Sequence, residues 1–304
     1  MFIATEKSYN KRALKSESDI YNMKINYQIE PSKLKKTQAI FCDVDGTLIN
    51  SKLEIDSFTK KEIMEFKDKT PFILTSGRTY KALKSYHDQL KLSTPYITLN
   101  GAYVIDSNNK VISSTPIEDK VKSELLFFLY REFSSYTIIV FSLDKWYSNS
   151  MDNEYIRNEI DIVHFLPDQI YTDYHDIYNM IANKILFIGP EEACNKVTEG
   201  GKRFQKDLYV IHNSKNYVEF FSRKASKGTA IKKYCSLLGY DPDYVLGIGD
   251  SMIDHTMLEI CGFKASPMNA NEEIKRISNI HLPSNNDNAV GHLLEDIKNQ
   301  FQSE

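Results

Sequence analysis

A doubly wound α/β domain carrying an inserted α+β unit is the fold this sequence predicts, on three observations. From residue 39 onward, short continuous apolar runs alternate with amphipathic helical patterns, which is the mark of a parallel sheet covered on both faces. Carboxylates and glycines follow those runs directly, at the edge where open parallel sheets bind their ligands. From about residue 116 to 215 the pattern becomes that of a separate α+β unit, with α/β strand patterns on both sides of it, so it reads as an insertion. At 304 residues the chain exceeds the usual size of one domain.

The elements follow in order. Residues 1–37 hold eight Lys or Arg against four Asp or Glu and no sustained period, which predicts a flexible arm or a weakly structured N-terminal extension. The core, expected over 38–115 and 216–304, opens with the runs "AIFCDV", "PFILTS" and "YITLN" and resumes with "DYVLGIG". Tyr80, Leu83, His87 and Leu90 share one helical face, as do Ile231, Tyr234, Cys235 and Leu238, a helix closed by Gly239. Val290, Leu293, Leu294 and Ile297 mark a last helix. Within 116–215, a helix around "EDKVKSELLFFLYREF" leads to "YTIIVFS", "KWYSNS", "KILFIG", a further helix and "LYVIHN", while "NYVEFF" is expected to lead back to the core.

Composition narrows the function. A net charge of -3 and the lack of a basic stripe argue against a nucleic-acid surface. The longest apolar stretches fall far short of the roughly 20 residues a membrane helix needs, and the first residues lack a secretory apolar region, so the expectation is a cytoplasmic protein with no membrane contact. Cys42, Cys194, Cys235 and Cys261 stand far apart, without the spacing of a disulfide framework or a zinc site.

The residues that end the runs carry the chemistry. Asp43, Asp45, Gly46 and Thr47 follow the first run, Ser76, Gly77 and Arg78 the second, and Gly249, Asp250, Ser251 and Asp254 the late one. Two bare carboxylates about 4 Å apart repel by roughly 4 kcal/mol at an effective dielectric of 20, so their convergence calls for a counter-charge. Hard oxygen ligands select a hard divalent ion, and Mg²⁺ sharing a phosphate suits them. On an extended strand Asp43 and Asp45 face the same side, so one attacks while the other moves protons, and Gly46 lets the backbone turn away. The competing reading of D-x-D-G-T is a turn with a helix cap. Lys227, in "RKASKGTAI", stands at the start of a helix where its ammonium reaches the same edge. Asp250 and Asp254, four apart, share a face at a helix N-terminus, where simple capping is the alternative.

Taken together, "FCDVDGTLI", "ILTSGR", "LNGA", "KASKGTA" and "GIGDSMIDHTML" resemble the ordered motifs of the haloacid-dehalogenase-like hydrolases, in particular the Cof-type phosphatases with a type IIB cap, over roughly residues 38–300. The resemblance implies a Rossmann-like core and a cap over a phosphoester site. It implies Asp43 as the nucleophile that forms an aspartyl-phosphate and binds Mg²⁺. Asp45 would be the acid and base, its backbone carbonyl on the metal. Ser76 and Gly77 would hold phosphate, and Lys227 would neutralise charge on the nucleophile and the phosphoryl group. Asp250 would be a metal ligand, and Asp254 a partner of the metal shell or of the lysine. The substrate it implies is a small phosphorylated metabolite, such as a sugar phosphate. Where the family usually carries Asn before the aspartate matched by Asp254, this chain has Ile253, so a polar contact is missing or comes from Ser251; Ala289 stands where Gly is usual.

Weaker candidates are weighed against ordinary roles. Arg78 either holds a substrate group, braces the phosphate loop or forms a structural ion pair. Asn100 of "LNGA" lies near the site in the resemblance but reads as a hairpin turn. Trp146 and Tyr147 either stack on substrate from the cap or pack the cap's own sheet. His87 and His255 read as ordinary helical histidines, and Cys42 faces away from the carboxylates. The expectation is a Mg²⁺-dependent phosphatase of a small phosphomonoester; the rivals are a phosphomutase and a binding protein retaining the fold.

Overall fold

The computed structural model describes residues 24–163 and 165–302. Among them, nine strands form one sheet and six a second. In chain order the large sheet takes β1 (Asn26–Tyr27), β2 (Ala39–Asp43), β3 (Phe72–Thr75), β4 (Tyr96–Thr98), β5 (Tyr103–Ile105) and β6 (Val111–Ser114). The small sheet takes β7 (Thr137–Ser142), β8 (Lys145–Ser148), β9 (Gln169–Ile170), β10 (Lys184–Ile188), β11 (Leu208–Ser214) and β12 (Tyr217–Ser222), after which β13 (Val245–Ile248), β14 (Phe263–Pro267) and β15 (Ile280–Leu282) complete the large one.

The order of the large sheet is β1-β15-β14-β13-β2-β3-β4-β5-β6. The six strands from β15 to β4 run parallel, and β1, β5 and β6 add antiparallel edges. Alternation within single strands covers both faces: Ile40, Cys42, Phe72, Leu74, Leu246 and Ile248 enter one apolar cluster, while Ala39, Phe41, Ile73, Ile97 and Val245 enter another. Chain order reverses between β2 and β13, which pair in register from Ala39–Val245 to Cys42–Ile248. A crevice opens at such a switch point beyond the carboxyl ends of the strands, and there Asp43 and Asp250 lie.

The helices close as their sequences ask. Tyr80, Leu83, His87 and Leu90 are buried, the first three on the helix Tyr80–Gln89, which Thr79 caps by accepting from the Ala82 amide. Gly239, at a φ of 70°, ends the helix Lys227–Leu238, although Leu238 itself is exposed. Val290, Leu293, Leu294 and Ile297 are buried on Ala289–Gln302. The left-handed residue before that helix is Asn288, at a φ of 60°, so Ala289 is an ordinary first helical residue.

Two expectations are corrected. The expected arm over 1–37 is ordered where it is described, and residues 1–23 lie outside the described residues. β1 pairs with β15, Leu34 is fully buried, and the Tyr27 hydroxyl donates to Asp296 at 2.5 Å. A few well-placed apolar side chains docked on the last helix outweigh the segment's charge. The segment "NYVEFF", expected to return to the core, is instead β12, paired with both β10 and β11, so the small sheet runs to Ser222, beyond the expected limit at 215. The small sheet, ordered β11-β12-β10-β7-β8-β9, turns Ile139, Phe141, Leu186 and Ile188 into the apolar cluster of the core. Helices Asp119–Phe133 and Glu191–Gly201 cover its other face, with Leu125, Leu129, Cys194 and Val197 buried there.

Candidate active site

β2 ends on Asp43, and Val44–Leu48 makes a single wide helical turn closed by the Ile49 amide donating to the Val44 carbonyl at 3.1 Å. Gly46, at a φ of 75°, turns the chain directly against Asp250; a Cβ there would collide with that carboxylate. Asp43 is 5% exposed.

Lys227 opens its helix, where the Ser226 hydroxyl accepts from the Thr229 amide and Thr229 reciprocates as a capping box. An ammonium at a helix N-terminus is opposed by the dipole, so its place here depends on partners. It has two: Lys227 Nζ donates to Asp43 and, at 2.6 Å, to Asp254 Oδ1. Burial alone would depress the lysine, but Asp254 and Asp43 outweigh it and hold the ammonium above its ordinary range.

Asp254, fully buried, has both oxygens engaged: Oδ2 accepts from the Asp250 amide at 3.1 Å and from the Ser251 amide and hydroxyl at 3.0 Å each. Ser251 thus makes a polar contact beside Ile253, whose side chain reaches the cavity wall. Asp250 accepts from the Thr47 hydroxyl at 3.2 Å. Asp43, Asp250 and Asp254 each place one carboxylate oxygen within 4.8 Å of the others, close to the span of two ligands across a hard divalent ion at ~2.1–2.4 Å each. Three carboxylates face one ammonium, and the excess negative charge shows: burial, then Asp254, push the Asp43 carboxyl well above its usual range and Asp250 up to about 7. The donor set is all oxygen and anionic, which fits Mg²⁺.

Asp45 departs from the expected pairing with Asp43 along a strand. The strand has ended, and the turn sends Asp45 outward, 49% exposed, onto Arg78. Arg78 grips it with two parallel bonds, Nε to Oδ2 at 2.8 Å and Nη2 to Oδ1 at 2.7 Å, while Nη1 donates to the Ile162 carbonyl of the inserted unit at 3.1 Å. Of its expected roles, Arg78 therefore takes the ion pair. Ser76 is fully buried and its hydroxyl accepts from the Arg78 amide at 3.1 Å, so the wall beside it is formed by Gly77.

The large and small sheets enclose a cavity of about 450 Å³ above this cluster, room for a small metabolite. From the core come Asp43, Asp45, Gly77, Arg78, Asn100, Lys227 and Asp250; from the inserted unit come Phe141, Glu159, Ile162, Lys184, Leu186, Tyr217 and Glu219. Period two aims Lys184 with Leu186, and Tyr217 with Glu219, at the same face, and helical spacing does the same for Glu159 and Ile162. Asn100 forms the hairpin turn between β4 and β5, at a φ of 59°, and also reaches the cavity, donating to Glu219 at 2.9 Å. Lys184 Nζ donates to the Gly77 carbonyl at 2.9 Å.

Trp146 is corrected as a substrate residue. It is fully buried, donates Nε1 to the Leu166 carbonyl at 3.0 Å and stacks on Phe141, so Phe141 forms the wall and Trp146 backs it. His87 bonds the Thr94 carbonyl at 2.8 Å and stacks on Tyr96, His255 lies 3.5 Å from Glu259, and Cys42 is buried, its thiol donating to the Asp43 carbonyl. The cap residues Glu159, Lys184 and Glu219 were not anticipated. A charge inside the apolar runs "KILFI" and "YVEFF" is the one signal that marks the latter two.

Glu159 is 6% exposed and makes no hydrogen bond or ion pair among the described residues. Burial pushes its carboxyl up to about 7, with Lys184 and Arg78 pulling down and Glu219 and Asp45 pushing up. Tyr217, the other titratable group it faces, is itself pushed up by burial and then by Glu159. A carboxyl raised on folding costs stability once it ionises: the cost is absent below about pH 4.5 and complete above about 7. Glu159→Gln removes it, worth about 3 kcal/mol. Urea unfolding should show the variant more stable than wild type near pH 8 and close to it near pH 5; equal stabilities at both would contradict the assignment.

A model of the haloacid dehalogenase-like hydrolases matches residues 40–294. Phosphatase YwpJ of Bacillus subtilis is 24% identical over 286 residues, covering 84% of this chain and 98% of that protein. The crystal structure of TM0651 from Thermotoga maritima superposes with a TM-score of 0.76 at 25% identity, covering 86% of this chain and 97% of the other. A HAD/COF-like hydrolase from Plasmodium vivax shares the fold with a TM-score of 0.80 at 19% identity, covering 89% and 99% of the two chains.

Proposed function

From the premise that this chain belongs to the haloacid dehalogenase-like hydrolases of the Cof type and is a phosphatase, we propose that it hydrolyses a small phosphomonoester through an aspartyl-phosphate on Asp43, with Mg²⁺ as cofactor. The observation that carries this is the buried Lys227 ammonium shared by Asp43 and Asp254 beside Asp250, at the floor of the cavity. A carboxylate pinned in this way is oriented to attack in line, and phosphoryl transfer asks mainly for positioning and charge neutralisation.

In this reading Asp43 attacks phosphorus and Lys227 offsets charge on the attacked group. Asp45 would give up Arg78 as substrate binds and take up a proton from solvent, deliver that proton to the leaving oxygen and then, as the carboxylate, take one from the water that cleaves the acyl phosphate. Gly77, on the cavity wall, would face the phosphoryl oxygens, with the buried Ser76 hydroxyl behind it holding the Arg78 amide. Asp43, Asp250 and the Asp45 backbone carbonyl would hold the divalent ion, which supplies neutralisation of the carboxylate and phosphoryl charges. Asp254, with both oxygens engaged, would orient Lys227 and the turn that carries Asp250. The unit from about residue 116 to Ser222 would act as a cap that keeps bulk water from the acyl phosphate.

Hydrolysis of 4-nitrophenyl phosphate is expected to fall to background in EDTA and to return with Mg²⁺; turnover that ignores the chelator would remove the ion from the mechanism. A release screen over phosphorylated metabolites tests the substrate class. Inorganic phosphate as the product, without transfer to a second sugar, separates hydrolysis from a mutase.

A further inference from the structure

The charges in the cavity do not balance on its cap side. Before substrate binds, Arg78 is paired with Asp45 through two parallel bonds, and its Nη1 stays on the Ile162 carbonyl. Lys184 is committed as well, donating to Gly77, 3.6 Å from Glu219 and 4.8 Å from the centre of the Phe141 ring. Glu219 has Lys184 and the Asn100 amide. Glu159 accepts no hydrogen bond and makes no ion pair among the described residues, since Lys184 and Arg78 act on it only from farther off, yet it is more than nine-tenths buried and lines the cavity. A carboxylate that opens onto a cavity and has no protein donor is left to water until a ligand supplies the missing charge.

Resting on the phosphatase reading above, we propose that Glu159 anchors a protonated amine on the leaving group, so that the preferred substrates are phosphomonoesters of amine-bearing alcohols. A neutral hydroxyl would satisfy the oxygens only in part, since a charge-assisted bond is roughly twice as strong as a neutral one. A second anionic group, as in a bisphosphate or a phosphorylated acid, would meet Glu159, Glu219 and Asp45 together and be rejected. Phe141, Ile162 and Leu186 offer the apolar wall for the carbon skeleton, and the volume has room for one the size of a sugar or amino alcohol.

The test uses the whole chain with Mg²⁺ and three aryl phosphates that differ only in a para substituent: aminomethyl, hydroxymethyl and carboxymethyl. The expected order of kcat/KM is amine over alcohol by about tenfold or more, and alcohol over acid, since a single charge-assisted hydrogen bond accounts for at least that ratio. Glu159→Gln is expected to bring the amine-to-alcohol ratio close to one. Release from none of the three would defeat the phosphatase reading itself. Release at equal kcat/KM from amine and alcohol would overturn only the amine preference, and this wild-type comparison does not depend on any variant folding. An amine preference that survives in Glu159→Gln would overturn the role of Glu159.

Discussion

Asp43→Asn is expected to lower phosphate release from 4-nitrophenyl phosphate by about 10⁴-fold or more, because the nucleophile is lost and no other carboxylate occupies its place on β2. The same change should leave the fold intact. Burial and the neighbouring Asp254 hold the Asp43 carboxyl well above its usual range, so its ionised form is a burden on the metal-free protein at neutral pH. Lys227 keeps its bond to Asp254 in the variant. Thermal unfolding in EDTA at neutral pH should therefore show Asp43→Asn no less stable than wild type. An inactive variant with an undiminished melting temperature is the signature of a functional carboxylate held at a cost. Near-normal turnover would refute the nucleophile, and a strongly lowered melting temperature would make Asp43 a structural residue.

Lys227→Met should do the opposite to stability. The side chain is 2% exposed and, among the described residues, is the one ammonium between Asp43 and Asp254. Without it, two buried carboxylates confront each other uncompensated, a defect worth about 3–5 kcal/mol. Urea unfolding in EDTA should show that loss, and activity should fall together with it. Adding Asp254→Asn to Lys227→Met should restore part of the stability but none of the activity, since the second change relieves repulsion without returning the charge that phosphoryl transfer needs. A single variant as stable as wild type would mean that the cluster is already neutral by protonation, and the charge balance proposed for the site would fall.

These expectations rest on groups that differ in how visible they are in the sequence. Asp43 and Asp250 can be placed because each directly follows an apolar run, and chain direction in a parallel sheet sends such residues to one edge. Lys227 can be placed because a helix start precedes the run that leads to Asp250. Asp45 is misplaced by the sequence pattern, because the strand ends at Asp43 and the chain already turns at Val44, which breaks the alternation that would set the two carboxylates side by side and leaves Asp45 on Arg78. The chemistry of Trp146 suits a substrate, but a large ring gains most by full burial, and Phe141 takes the wall. The segment 24–37 looks like an arm because its charge hides Tyr27 and Leu34, whose docking sites lie some 250 residues away in the chain.

By itself, then, the order of apolar runs, helix signals and trailing carboxylates determined the doubly wound core, its inserted unit and which acids reach one edge, because backbone period and strand direction are local properties that burial merely enforces. Only the tertiary structure decided that Tyr217–Ser222 belongs to the small sheet, that Arg78 ties Asp45 to the inserted unit, and that Glu159 is left without a partner in the cavity among the described residues. Those outcomes depend on which side chains from distant segments arrive at the same place and which charges find each other first. No local pattern encodes that competition.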